Sequence, residues 1–185
     1  GGGALAEATS LTGLFIEAGP IVQVRDARGR IRINTDPDDG IAYVGPLAVL
    51  INRDSASASE IFAGAIQDYG RGLIVGEPTY GKGTVQNLID LNRYSSVDDE
   101  PLGQLKMTIA QFFRVNGDST QHRGVVPDIL LPTAARSLEH GERALDNALP
   151  WTQIKPAKFL SYTGAEVQLN MAELRALHQA RASAD

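Results

Sequence analysis

Ser57, inside SASASE (55–60), and Lys82, inside YGKGTVQ (80–86), stand 25 residues apart, the layout of a serine nucleophile with a lysine base. A serine hydroxyl is a poor nucleophile at neutral pH, and an uncharged lysine amine can take its proton as a histidine does. Ser57 followed by Glu60 and an apolar helical pattern also makes a capping box, a helix start that needs no catalysis. The two readings are compatible. A serine at a helix start lies beside free backbone N–H groups and the positive end of the dipole, where an oxyanion is stabilised, and the N–H of Ala58 is the natural donor. Ser55 and Ser59 are rival nucleophiles that periodicity does not separate from Ser57. Lys82 has a rival assignment of another class. GEPTYGKG (76–83) nearly fits a phosphate-binding loop, with Gly76, Gly81 and Lys82 in place. However, Gly83 stands where a hydroxyl would hold magnesium, and a strand-like VQNLIDL follows where that loop needs a helix. In the blandest reading, Gly81 and Gly83 make a turn and Lys82 is a solvated charge.

The elements that must position these residues are legible around them. Leu47–Asn52 is a short apolar run that suits a strand buried on both faces. From Ala58 to Tyr69 the apolar residues Ile61, Phe62, Ala65, Ile66 and Tyr69 predict a helix, with Gly70 as its C-terminal cap. Leu73–Val75 reads as the next strand, which completes a strand–helix–strand unit of a parallel sheet. VQNLIDL (85–91) and QLKMTIAQFFRV (104–115) read as strands able to pair as a hairpin across an acidic loop at Asp98, Asp99 and Glu100. If the first runs on from Lys82, then Lys82, Thr84 and Gln86 share a face by the two-residue period. β-Branched residues thin out from Pro132, so a boundary is set near Thr133. Asn170 with Glu173 caps a last helix carrying Leu174 and Leu177.

Composition removes several function classes. The 185 residues are 43% hydrophobic and 21% charged, enough for one good core and a small appendage. A net charge of −5 without a run of basic residues gives no footprint for nucleic acid or an anionic membrane. The absence of cysteine excludes disulfides, thiolate catalysis and thiolate metal sites. His122, His140 and His178 lack ligand-like spacing, so neither a metal nor a cofactor is expected. No stretch approaches the roughly 20 apolar residues of a membrane span, and no signal peptide is visible. The chain opens on Gly1, Gly2 and Gly3 without an initiator methionine, and reads as a piece of a longer protein.

SASASEIFAGAIQDYGRGLIVGEPTYGKGTVQ (55–86), with VGPLAVLINR before it and QHRGVVPDILLPT (121–133) after it, resembles the active-site stretch of the carboxy-terminal processing proteases. GERALDNALPWTQI (141–154) narrows the resemblance to the tail-specific branch. The resemblance implies an α/β fold: a crotonase- or ClpP-like protease core over 1–133, incomplete at its N-terminus, and the start of a mostly helical C-terminal extension over 134–185. It makes Ser57 the nucleophile, Lys82 the general base and Gln86 the residue that orients the lysine, with Gly2, Gly3 and the Ala58 amide as the oxyanion hole. It further implies a serine endopeptidase acting on proteins with accessible C-termini, recognised by a PDZ domain upstream that is not in this sequence. A periplasmic location and an adaptor lipoprotein as partner follow from the same likeness. The rival from another class is a catalytically silent scaffold.

Residue chemistry bears on these roles. A lysine pKa is ordinarily about 10.4, so Lys82 needs burial or nearby positive potential to act as a base. Glu77 is therefore expected to point away from it. Gln86 can accept a hydrogen bond from the amine without adding a charge. Asp68 lies 11 residues after Ser57, about 16 Å along a helix, which rules out contact and suggests a pair with Arg71 near the helix end. Glu60 and Thr84 are expected to shape the site, Glu60 as cap first and substrate contact second.

Overall fold

The computed structural model describes residues 2–38, 40–94, 102–132, 140–164 and 170–183. The expected acidic loop at Asp98, Asp99 and Glu100 and the expected boundary near Thr133 lie outside the described residues.

A helix α1 (Leu5–Gly13) leads into an antiparallel pair, β1 (Pro20–Asp26) and β2 (Ile31–Thr35). Then come β3 (Ala48–Ile51), α2 (Ala58–Asp68) and β4 (Leu73–Gly76), with β3 and β4 paired in parallel as the strand–helix–strand pattern requires. Tyr69 is the C-cap of α2, and Gly70, at φ +65°, turns the chain out of the helix in a conformation that glycine adopts without strain. β5 (Thr84–Asp90) and β6 (Gln104–Phe113) form the expected antiparallel pair. A two-residue β7 (Ile129–Leu130) adds to β4, and α3 (Met171–Ala182) follows near the end.

Two sheets result, of order β2-β1-β6-β5 and β3-β4-β7. Between and around them Ile21, Val22, Val24, Ile61, Ile66, Ile74, Phe112, Val115 and Val125 form one buried apolar cluster. One expectation fails here. The run LAVLIN is not covered on both faces: Ile51 is buried but Leu50 is 78% exposed. Burial alternates along β3 because helix packing covers one side of this sheet, and the period of two then sets which residues face inward.

The segment 141–162 is a strap laid over the core, with only one short 3₁₀ turn at Glu142–Ala144. Its backbone N–H groups donate from Ile154 to Gly117 O at 2.9 Å, from Ala157 to Val115 O at 2.9 Å and from Tyr162 to Tyr69 O at 2.8 Å. Trp151 Nε1 donates to Ser119 O at 2.9 Å, and the Phe159 and Tyr69 rings lie 5.0 Å apart. The last helix starts where expected, with Asn170 Oδ1 accepting from the Glu173 N–H at 3.2 Å. None of its residues is buried, and it touches the core through Arg175 Nε to Asp128 O at 3.1 Å and His178 Nε2 to Leu130 O at 3.0 Å.

Candidate active site

The strand β3 ends in a turn at 52–55, and the chain reaches α2 through Ser57 in a rare conformation, φ 54° and ψ −108°. A non-glycine residue at positive φ is uncommon and costs of order 1–3 kcal/mol, so the surrounding structure must enforce it. Glu60 does part of this. Its carboxylate accepts the Ser57 N–H at 2.6 Å, the half of the capping box that reaches back to the cap backbone. Ser57 thus stands at the start of α2, and Ala58 carries one of the first-turn amides that a helix leaves without an internal acceptor.

Lys82 lies in the loop between β4 and β5, two residues before β5 begins, so it enters the strand rather than belonging to it. Its Nζ donates to Gln86 Oε1 at 3.0 Å, the contact expected of base and orienter. The lysine is half-buried, while Gln86 is exposed and Thr84 is buried. Ser57, Lys82, Thr84 and Gln86 line one cleft of about 470 Å³, together with Gly3 and Ala58. Among the described residues no carboxylate lines it, Lys106 is a second cation there, and Glu77 is not among its walls. The rival serines stand elsewhere. Ser55 Oγ is held by Asn52 in the preceding turn, accepting from its N–H at 3.2 Å, and both Ser55 and Ser59 line a neighbouring depression that does not reach Lys82. Gly2 packs against Ser57 so closely that a methyl group on it would lie 3.1 Å from Ser57 Cβ, and Gly3 is next to Ala58.

Beneath the cleft, Glu60 is fully buried and receives four donors: Ser57 N–H at 2.6 Å, Thr79 Oγ1 at 2.6 Å, Gly81 N–H at 2.7 Å and Lys82 N–H at 3.0 Å. It ties the backbone of the serine to the backbone of the lysine. Burial pushes its carboxyl up to about 7, against the four donors that pull it down.

Comparison with known proteins places the chain in a family. Residues 1–131 match peptidase family S41, and residues 135–185 match the C-terminal domain of tail specific protease. The chain belongs to peptidase family S41. It is 55% identical over 160 residues to the Tail-specific protease of Haemophilus influenzae, a match covering 86% of this chain and 23% of that protein. It is 39% identical over 132 residues to Carboxyl-terminal-processing peptidase 2, chloroplastic, of Arabidopsis thaliana, over 71% of this chain and 24% of that one. This S41 chain thus spans about a quarter of the length of these curated relatives. Among solved structures, the photosystem II D1 C-terminal processing protease matches with a TM-score of 0.60 at 36% identity, over 71% of this chain and 32% of its own. A putative S41 protease from Bacteroides fragilis, at 14% identity and a TM-score of 0.55, shares the fold over 96% of this chain and 42% of its own.

Two sequence expectations change in the S41 chain. Asp68 does not pair with Arg71. Its carboxylate binds Arg114 Nη2 at 2.6 Å and Nε at 3.0 Å, and Asn116 Nδ2 at 3.0 Å, and burial pushes its carboxyl above the usual range while Arg114 opposes this. Gly70 redirects the chain, so Arg71 turns into the core instead, donating to Phe15 O at 2.9 Å and Tyr43 O at 2.7 Å. The phosphate-loop reading also fails, because β5 rather than a helix follows Lys82 and the Gly81 and Lys82 N–H groups that would cradle phosphate are given to Glu60. Thr79 and Gln121, both buried, were not singled out by spacing or type. Each acts on backbone far away in sequence, Thr79 Oγ1 by accepting Val125 N–H at 2.7 Å and Gln121 Oε1 by accepting Gly83 N–H at 2.8 Å.

Proposed function

We propose that this chain carries the catalytic centre of a serine endopeptidase of the tail-specific type, with Ser57 as nucleophile and Lys82 as general base. The observation that carries the reading is selective: of the three serines in SASASE, only Ser57 opens into the cleft that holds Lys82, whose amine is bonded to the neutral Gln86 amide. Ser57 Oγ attacks the scissile carbonyl carbon while Lys82 Nζ takes its proton. The Gly3 and Ala58 amides, with Gly2 packed behind Ser57, receive the oxyanion as the tetrahedral intermediate forms. Lys82 then gives the proton to the departing amine, and the C–N bond breaks to leave an acyl-enzyme. Water, deprotonated by the same lysine, hydrolyses the ester and restores Ser57. Gln86 fixes the amine without adding charge.

The substrate is an extended polypeptide. Five consecutive residues, Thr84–Leu88, line the cleft, and β5 is an edge strand of its sheet among the described residues, so one wall is a strand edge that can pair with an added chain. Recognition of substrate C-termini through a PDZ domain, a periplasmic location and an adaptor lipoprotein belong to the whole protease and rest on the likeness to its relatives. Among the described residues, no helix is long and apolar enough to cross a membrane.

The test is cleavage of an unfolded protein by the full-length protease and by its Ser57→Ala and Lys82→Ala variants, with folding checked by circular dichroism. Both folded variants are expected to lose about 10³-fold or more in kcat. A folded Ser57→Ala variant that still cleaves would overturn the assignment.

A further inference from the structure

The loop that carries Lys82 is held at every backbone polar group from Tyr80 to Gly83. Tyr80 N–H donates to Ser55 O, and the Gly81 and Lys82 N–H groups donate to Glu60. Gly81 O accepts from His122 N–H at 2.8 Å, Lys82 O from Thr120 Oγ1 at 3.1 Å and Gly83 O from Phe112 N–H at 2.9 Å. The two groups that remain, Tyr80 O and Gly83 N–H, lie on either side of Lys82, and both lead to the C-terminal extension. Tyr80 O accepts from the Glu142 N–H at 3.1 Å. Gly83 N–H donates to Gln121 Oε1 at 2.8 Å, and Gln121 Nε2 in turn donates to Glu142 Oε1 at 3.3 Å.

The chemistry of this chain of contacts has a fixed direction. A backbone N–H can only donate, so the Gln121 amide must present its oxygen to Gly83, and its NH₂ must then face an acceptor. Gln121 is fully buried and Glu142 is 8% exposed, so water does not readily replace that acceptor. Glu142 supplies it. The extension also approaches as closely as the backbone permits: Gly141 is at φ +96°, and a Cβ there would lie 2.7 Å from Tyr80 O.

We propose that Glu142, a residue of the extension, is a positioning residue for the Lys82 base, holding its loop directly at Tyr80 and through Gln121 at Gly83. This rests on the Ser57–Lys82 reading above. Without the Glu142 carboxylate, the Gln121 NH₂ is stranded or the amide turns over, and Gly83 N–H loses its acceptor. The loop then moves next to Lys82, and the amine leaves its line to the serine.

The experiment is steady-state cleavage of a reporter peptide by the full-length protease carrying Glu142→Ala, Glu142→Gln, Gln121→Met or Glu142→Ala with Gln121→Met, alongside Ser57→Ala. Glu142→Ala and Gln121→Met are each expected to lower kcat about tenfold or more, with KM held within about twofold, because the loss is in alignment of the base. Glu142→Gln, whose amide oxygen keeps the acceptor, is expected to stay within about threefold of the parent, and the double variant to be no worse than either single one. Unchanged kcat in Glu142→Ala or in Gln121→Met would overturn the proposal, as would a Glu142→Gln variant impaired as much as Glu142→Ala. Should Glu142→Ala not fold, the kcat of the shape-conserving Gln121→Met decides. An active Ser57→Ala variant would instead sink the dyad reading itself, whereas an inactive one beside a normal Gln121→Met variant would sink this inference alone.

Discussion

Glu60 is the residue on which both halves of the site hang, since one buried carboxylate accepts from the backbone of Ser57 and of Lys82. Its placement at the third position of α2 also sets it against the helix dipole, which favours negative charge. Burial nevertheless raises its carboxyl from 4.5 to about 7. The folded protein therefore holds this proton more tightly than the unfolded chain does. Its contribution to stability is complete below pH 4.5 and is lost as the pH rises through about 7. Relative to a Glu60→Gln variant, the parent is expected to lose up to about 3 kcal/mol of unfolding free energy between those limits. Urea titrations at several pH values measure this, and parallel pH profiles for the two proteins would contradict it. Ser57 and Lys82 are legible as candidates from residue type and spacing, whereas the choice of Ser57 over Ser55 and Ser59 and the part given to Gln86 rest on the likeness to a known family. Thr79, Gln121 and Glu142 could not, because their partners come from remote segments and a buried threonine, glutamine or glutamate has no local signature.

At the scale of elements, α2 is fixed at both ends by different means. Its start is held by Glu60, and its end by the Asp68–Arg114 pair, whose side chains are 6% and 14% exposed. Asp68→Ala would leave the Arg114 guanidinium buried and uncompensated, with an expected loss of about 3 kcal/mol in stability. Thermal or urea unfolding measures that loss, and an Asp68→Ala protein as stable as the parent would contradict this role. Apolar periodicity announces α2, and β4, β5 and β6 follow from short runs bounded by turn residues. The elements α1, β1, β2 and β7 are not among those expected from the sequence. α1 contains Thr9, Ser10 and Thr12, which compete with helix formation, and two of them satisfy themselves on helix carbonyls: Thr9 Oγ1 to Ala6 O at 2.7 Å and Thr12 Oγ1 to Ala8 O at 2.6 Å. β7 is two residues long and exists because β4 offers it an edge.

Across the whole molecule, the segment that matches peptidase family S41 and the segment that matches the C-terminal domain of tail specific protease share hydrogen bonds rather than merely touching, since the strap at 141–162 pairs with backbone from Tyr69, Val115, Gly117 and Ser119. Trp151 anchors it, with its ring under the Arg123 guanidinium at 3.6 Å and its N–H on Ser119 O. Trp151→Ala is expected to cost about 2 kcal/mol and to loosen the strap before the core. Hydrogen exchange would show faster exchange at Ile154 and Ala157 N–H than at the core strands, and uniform acceleration would contradict the order. The family and the α/β core could be read from motif content, whereas the course of the strap could not, because it lacks regular periodicity and its backbone pairs and side-chain anchors meet partners remote in sequence. The proposed chemistry depends above all on Ser57 being the nucleophile. Acid-quenched reaction of the full-length protease with an activated ester of a blocked amino acid, followed by mass spectrometry of the digested protein, tests it most directly. With Ser57 as nucleophile, an acyl adduct forms on the peptide spanning Ser57, localises to Ser57 and is lost in Lys82→Ala; an adduct on Ser55 or Ser59, or one that forms unchanged without Lys82, would overturn the assignment.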